Sequence, residues 1–82
     1  MKSEIINLIS DVLEISANEN STKENTENWD SLNHVYIVLE LQDRFKVRIP
    51  AEDIDKLLSV MDIIEYIKKK TVNDKIIRFK ES

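Results

Sequence analysis

The sequence predicts an all-α fold: a small four-helix bundle of three longer helices and one short helix, with a long loop between helices 1 and 2. Three observations predict it. Glycine is absent and proline occurs once among 82 residues, which removes the residues that tight primed hairpin turns use most. Three segments repeat apolar residues at helical spacing. A chain this short buries only about 60–65% of the surface its unfolded form exposes. Its apolar residues therefore belong to one core, shared by amphipathic helices that are not stable alone.

The first helix is expected over residues 3–15, where Ile5, Ile9, Val12 and Leu13 share a face with Leu8 beside them. Ser3 is placed to cap it, and Glu4 suits the positive end of its dipole. Residues 16–30 are a different material, with four asparagines and several Ser and Thr whose side chains compete for the backbone. Only Ala17 and Trp29 are apolar there, so the segment is expected to be a loop that Trp29 plugs into the core. Asp30 is a good N-cap for a second helix over 31–45. Leu32, Val35, Leu39, Gln42 and Phe45 mark one stripe, widened by Tyr36, Ile37, Val38 and Leu41. That width implies contact with more than one neighbouring helix.

Lys46–Pro50 breaks the pattern, with Pro50 biasing Ile49 to an extended conformation. Residues 51–58 suffice for one or two helical turns that bury Ile54 and either Leu57 or Leu58. Ser59-Val60-Met61-Asp62 is a capping-box-like start, with Asp in place of Glu. The last helix is expected over 60–70, with Val60, Ile63, Ile64 and Ile67 inward and Lys68, Lys69 and Lys70 at its negative dipole end. Without glycine, helix ends are expected to use asparagine or caps outside the left-handed region. The chain thus divides into a helical domain, 1–70, and a basic C-terminal extension, 71–82. Ile76, Ile77 and Phe79 are too few to define a face there, so a frayed end and a short addition packed on the body both fit.

Composition excludes several chemistries. There is no cysteine, hence no disulfide framework, thiolate zinc site or cysteine nucleophile. One histidine argues against a histidine metal cluster, and no metal is expected. No run approaches 18 apolar residues and the N-terminus lacks a signal-peptide block, so no membrane span and a cytoplasmic location are expected. Residues 1–67 carry six Lys/Arg against fourteen Asp/Glu, a net −8, while residues 68–82 carry six against two, a net +4. The acidic body disfavours nucleic acid as a partner.

Ser31 is the residue best placed for chemistry. As the first helical residue after a loop and a capping aspartate, its hydroxyl is expected at the surface, near the free N–H groups and positive dipole end of a helix. A phosphate on that oxygen would sit in a favourable field. His34 lies three residues on, on the same side of the helix. The set Asp30, Ser31, His34 invites a hydrolase reading, but one exposed turn offers neither an oxyanion hole nor a closed pocket. The site suits attachment better than turnover, and His34 is expected to face a partner or solvent.

Asn28-Trp29-Asp30-Ser31-Leu32, followed by Val35, Leu39, Glu40-Leu41, Phe45 and Val47-x-Ile49-Pro50, resembles the acyl carrier protein family. Ser59-Val60-Met61-Asp62-Ile63-Ile64-x-x-Ile67 continues the resemblance, which covers about residues 3–70. It implies that Ser31 is esterified with 4′-phosphopantetheine, donated by coenzyme A through a separate phosphopantetheinyl transferase. The thiol of that arm would carry an acyl or aminoacyl group as a thioester between acyl-loading and acyl-transferring enzymes. The chain itself would not be an enzyme; it would act, as a monomer, by raising effective concentration through tethering. Asp30, beyond its capping, would help engage the transferase, and Leu32 would be a surface hydrophobe touched by partners.

The departures from the family pattern are informative. Asn28 stands where many carriers have glycine, and asparagine tolerates the left-handed region better than most residues, so a left-handed turn is expected there. Asn33, Tyr36 and Gln42 occupy positions often acidic in fatty-acid carriers, and Arg44, Lys46 and Arg48 follow, leaving Glu40 and Asp43 as the acids of that stretch. A basic patch suited to a strongly acidic helix should bind this one more weakly. A dedicated pathway, such as polyketide, amino-acid or surface-polysaccharide modification, is therefore expected rather than bulk fatty acid synthesis. The docking residues are expected to be Asp30, Leu32, Asn33, Tyr36 and Glu40. The alternative is a carrier-like docking module without the prosthetic group.

Overall fold

A computed structural model describes residues 1–81, with side chains to Thr71. Among them are four helices: α1 (Lys2–Leu13), α2 (Ser31–Phe45), α3 (Ala51–Ile54) and α4 (Val60–Glu81). No strand occurs among the described residues, apart from an isolated antiparallel bridge between Thr22 and Ser59. No helix among the described residues is long and apolar enough to cross a membrane. α1 packs against both α2 and α4. The core draws Ile5, Leu8, Ile9 and Leu13 from α1, Ile37, Val38 and Leu41 from α2, and Val60, Ile63, Ile64 and Ile67 from α4. Trp29, Val47, Ile49 and Leu57 seal it from the connections, so Leu57 rather than Leu58 faces inward.

Ser3 does not cap α1. The helix begins one residue earlier, with Met1 at the cap position and no side-chain cap bond, and the terminal amine lies 3.9 Å from Glu4. The ends of α1 and α2 contradict the expectation for a chain without glycine, while α3 ends on a right-handed Asp55 as expected. Glu14 (φ 56°) and Lys46 (φ 54°) adopt the left-handed conformation, at a cost of about 1–2 kcal/mol each. In each case the next-but-none apolar residue explains it: Ile15 packs on the core and Val47 is buried in it. The carbonyl of Ser10 accepts from the N–H groups of Glu14 and of Ile15 (3.2 Å). Burial of the following side chain and pairing of the orphan carbonyl offset the backbone cost.

The loop is tied down by its polar side chains, as its composition suggested. Ser10 Oγ accepts from the Ala17 N–H (3.0 Å), Ser21 Oγ from Asn18 (3.0 Å), and Thr22 and Asn25 cap each other's backbone (2.8 and 3.0 Å). Its middle also pairs with the α3–α4 connection: Lys23 N–H donates to Leu58 O (2.8 Å) and Val60 N–H to Ser21 O (3.0 Å).

α4 opens on a modified capping box. Ser59 Oγ accepts from Asp62 N–H (3.0 Å), but the Asp62 carboxylate reaches back one residue further, to Leu58 N–H (3.1 Å), and not to Ser59. The helix does not stop near residue 70; it continues through Glu81. Three lysines favour a helix end but do not impose one, and no glycine or proline follows them. The packing expected of Ile76, Ile77 and Phe79 lies outside the described residues.

Candidate functional site: the turn entering helix 2

The turn at residues 28–34 is built from its own side chains. Asp30 sits in extended backbone as the N-cap of α2, and its Oδ1 accepts from Asn33 N–H (2.9 Å) while its carbonyl accepts from His34 N–H (2.9 Å). Such a cap contributes about 1 kcal/mol. Asn28 is not left-handed; the positive-φ residues described are Glu14 and Lys46. It acts instead through its amide, which donates to the Leu13 carbonyl at the end of α1 (2.9 Å), while its own carbonyl accepts from the Asn33 side chain (2.8 Å). Asparagine here replaces a conformational role with a bonding one, and the end of α1 is fastened to the start of α2.

Ser31 follows the cap and is exposed. Asn33 N–H and His34 N–H are taken by Asp30, while the N–H groups of Ser31 and Leu32, ahead of them in the first turn, have no intrahelical partner. An anion joined to Ser31 Oγ fits this edge: it finds open N–H donors and the positive end of a 15-residue helix. A groove of about 500 Å³ is lined by Thr22, Lys23, Glu24, Trp29, Leu58 and Ser59 and not by Ser31. Ser31 is therefore presented to visitors, not enclosed.

His34 departs most from expectation. It faces neither solvent nor a partner but is 4% exposed. Its Nδ1 accepts from the Trp29 indole N–H (2.9 Å), and its Nε2 donates to the Ile54 carbonyl (2.8 Å). With both ring nitrogens engaged, His34 cannot act as a base toward Ser31, and the hydrolase reading fails on geometry. The sequence carried a signal for this: 34, 37, 38 and 41 are themselves a helical stripe, with histidine as its first member.

The second helix is two-faced. The buried stripe is His34, Ile37, Val38 and Leu41. Leu32 (61%), Leu39 (53%), Tyr36 (48%) and Val35 (44%) are exposed, so the added width of the apolar pattern is an outer face, while the contact of α2 with α3 is made by His34. Leu32 and Tyr36 stand where a partner can reach them, Glu40 is exposed beside them, and Asn33 is drawn into the turn. The ion pairs among the described residues, Met1–Glu4, Lys2–Glu19 and Lys56–Asp53, all lie off this helix. Among the described residues no group of acidic or histidine side chains could hold a metal ion.

The described residues form a helical bundle with an exposed serine at a helix start, beside an exposed apolar helix face. Comparison with known proteins gives the family. The family described as "Phosphopantetheine attachment site" matches residues 3–67. An acyl carrier protein of Syntrophus aciditrophicus is 35% identical over 75 residues, spanning 88% of this chain and 94% of that protein. Acyl carrier proteins of Chlorobium phaeobacteroides (46% over 41 residues, 50% of this chain and 53% of that protein) and Campylobacter concisus (42% over 40 residues, 49% and 52%) match about half of each chain. This chain belongs to the acyl carrier protein family, whose members carry covalently attached 4′-phosphopantetheine.

Proposed function

We propose that Ser31 is the attachment point of the prosthetic arm. The observation that carries this reading is an exposed serine as the first residue of a capped helix, where the first N–H groups have no intrahelical partner. In the transfer from coenzyme A the serine oxygen forms a bond to phosphorus, the phosphoanhydride bond to the adenosine bisphosphate breaks, and the hydroxyl proton passes to the transferase. When bound, the arm supplies a thiol that holds an acyl or aminoacyl group as a thioester. The chain's own part is to present Ser31, hold the turn rigid through Asn28, Asp30 and Asn33, and offer a docking face; it turns nothing over itself.

That face comprises Asp30 at the cap and Leu32, Tyr36 and Glu40 along the outside of α2, with Asn33 acting through the turn. Its centre is apolar, where a strongly acidic helix would carry charge. This supports a dedicated biosynthetic pathway in the cytoplasm, with loading and transferring enzymes shaped for this carrier rather than those of bulk fatty acid synthesis.

The test is intact mass. Incubation with coenzyme A, magnesium and a broad-specificity phosphopantetheinyl transferase should add one phosphopantetheine to the wild-type chain and none to Ser31→Ala. A wild-type chain that stays unmodified with several active transferases, or a Ser31→Ala chain that gains the mass, overturns the assignment. Partner binding indifferent to both would favour a docking module without the arm.

A further inference from the structure

His34 is a nearly buried polar residue in an apolar core, and the carrier chemistry above makes no use of it. The helix it reaches is α3, four residues long and with none of them buried. So short a helix cannot hold itself. Besides the partial packing of Ile54, α3 is fastened by two polar ties: the His34 Nε2–H to the Ile54 carbonyl (2.8 Å), and the Tyr66 hydroxyl to Asp53 (2.7 Å).

The first tie has a direction. An indole N–H can only donate, so the Trp29 bond obliges His34 Nδ1 to accept, and the ring's proton must lie on Nε2. The tautomer that grips α3 is thus set by a loop residue. Trp29, His34 and Ile54 form one relay through loop, α2 and α3, and Asp30 and Ser31 lie between its first two members in the chain.

We propose that His34 is a positioning residue that latches α3 to the attachment turn, through a tautomer set by Trp29, so that a visiting transferase meets Ser31 and α3 in one fixed arrangement. The proposal rests on Ser31 as the attachment point. An apolar side chain of similar size would fill the same space but leave the indole N–H without a partner and the Ile54 carbonyl with only the Leu57 N–H (3.3 Å) of its own turn. Glutamine would serve both, its Oε1 accepting and its Nε2–H donating.

The latch is tested on the unmodified full chain by amide hydrogen exchange and ¹⁵N NMR. Relative to core amides of α2, the Lys56 and Leu57 amides that close the α3 turn should exchange about tenfold faster in His34→Met and in Trp29→Phe, with His34→Gln close to wild type. In the wild type, ¹⁵N shifts should show His34 Nδ1 bare and Nε2 protonated. Transferase kinetics then separate positioning from simple stability: His34→Met should raise the KM for the carrier about tenfold with kcat little changed, and His34→Gln should restore it. Unchanged α3 exchange in a folded His34→Met, the opposite tautomer, an unchanged KM despite a loosened α3, or a folded His34→Gln that fails to restore KM would each overturn the latch. Exchange and NMR need no arm, so they judge the latch even where Ser31 takes none; a wild-type chain that stays unmodified condemns the attachment point and not the relay.

Discussion

The inner and outer faces of α2 are built from the same kinds of residue and have opposite fates. Ile37, Val38 and Leu41 are at most 2% exposed, while Leu32 and Leu39, on the same helix, are more than half exposed. Hydrophobicity alone does not say which face is core. What decides is where α1, α4 and the connections lie, and the residues that set the helix's rotation are polar: Asp30 at the cap, Asn33 bound to Asn28, and His34 bridging Trp29 and Ile54. The inner face holds the fold together. The outer face is left over from folding and is available for something else.

The largest effect should come from breaking the inner face. Ile37 is fully buried, and Ile37→Ala should cost about 2–5 kcal/mol, the loss of transfer energy plus the cavity left behind. In a small domain this is a large part of total stability. Chemical denaturation should show the midpoint falling steeply. A loss well under 1 kcal/mol would mean that α2 is seated differently from the arrangement described.

A smaller effect is expected where α3 meets α4. Burial, reinforced by the hydrogen bond to Asp53 and by the charges of Asp53 and Glu52, raises the Tyr66 hydroxyl from 10.0 to about 12. Lys70 lies over its ring, 5.5 Å from the centroid. A raised pKa means that the unfolded chain gives up this proton first. The Tyr66 contribution is therefore fully present below pH 10 and lost as pH rises through about 12. Tyr66→Phe should cost about 1 kcal/mol at neutral pH, and the gap between variant and wild type should narrow between those two pH values. Thermal melts of the unmodified proteins at neutral and alkaline pH would check this; a gap that holds constant to pH 12 would remove Asp53 as the partner of Tyr66.

The two faces also explain what was legible in the sequence. The bounds 31–45 for α2 could be read because Asp30 is a strong start signal and the apolar pattern runs without interruption to Phe45. Trp29 could be placed in the core because it is the one large apolar residue of its loop. The rotation of α2 could not be read, because two overlapping stripes, one led by Leu32 and one by His34, fit the same period. The end of α1 lies two residues before the expected 15, because its stop is a left-handed Glu14, a residue with no intrinsic preference for that conformation. The continuation of α4 past Lys70 is not legible because Lys68, Lys69 and Lys70 make a dipole-favourable end that nothing in the sequence distinguishes from a stop. The serine at the helix start could be singled out from local rules. The relay around His34 could not, because Trp29 and Ile54 lie 5 and 20 residues away with no periodicity linking them.

The smallest stability effect should come from the outer face, and that is what makes it informative. Leu39→Ala and Tyr36→Ala remove exposed side chains and should each change stability by no more than about 0.5 kcal/mol. If the outer face docks partners, the same variants should weaken transfer from a loading enzyme although the fold is intact. The form of that binding follows from the charges. Leu32, Val35, Tyr36 and Leu39 fall at the i, i+3, i+4 and i+7 spacing of a helix laid in an apolar groove. Glu40 and Asp43 on one side of the ledger are balanced nearby by Arg44, Lys46 and Arg48. Screening weakens exposed charge pairs, since the Debye length shrinks from about 10 Å at 0.1 M to about 3 Å at 1 M, but leaves apolar burial in place. Raising salt over that range should change the KM of a cognate loading enzyme for the carrier little. A KM that climbs steeply with salt, together with normal transfer by Leu39→Ala and Tyr36→Ala, would mean that partners read the few acids of α2 after all, and that the contrast between its faces has no part in recognition.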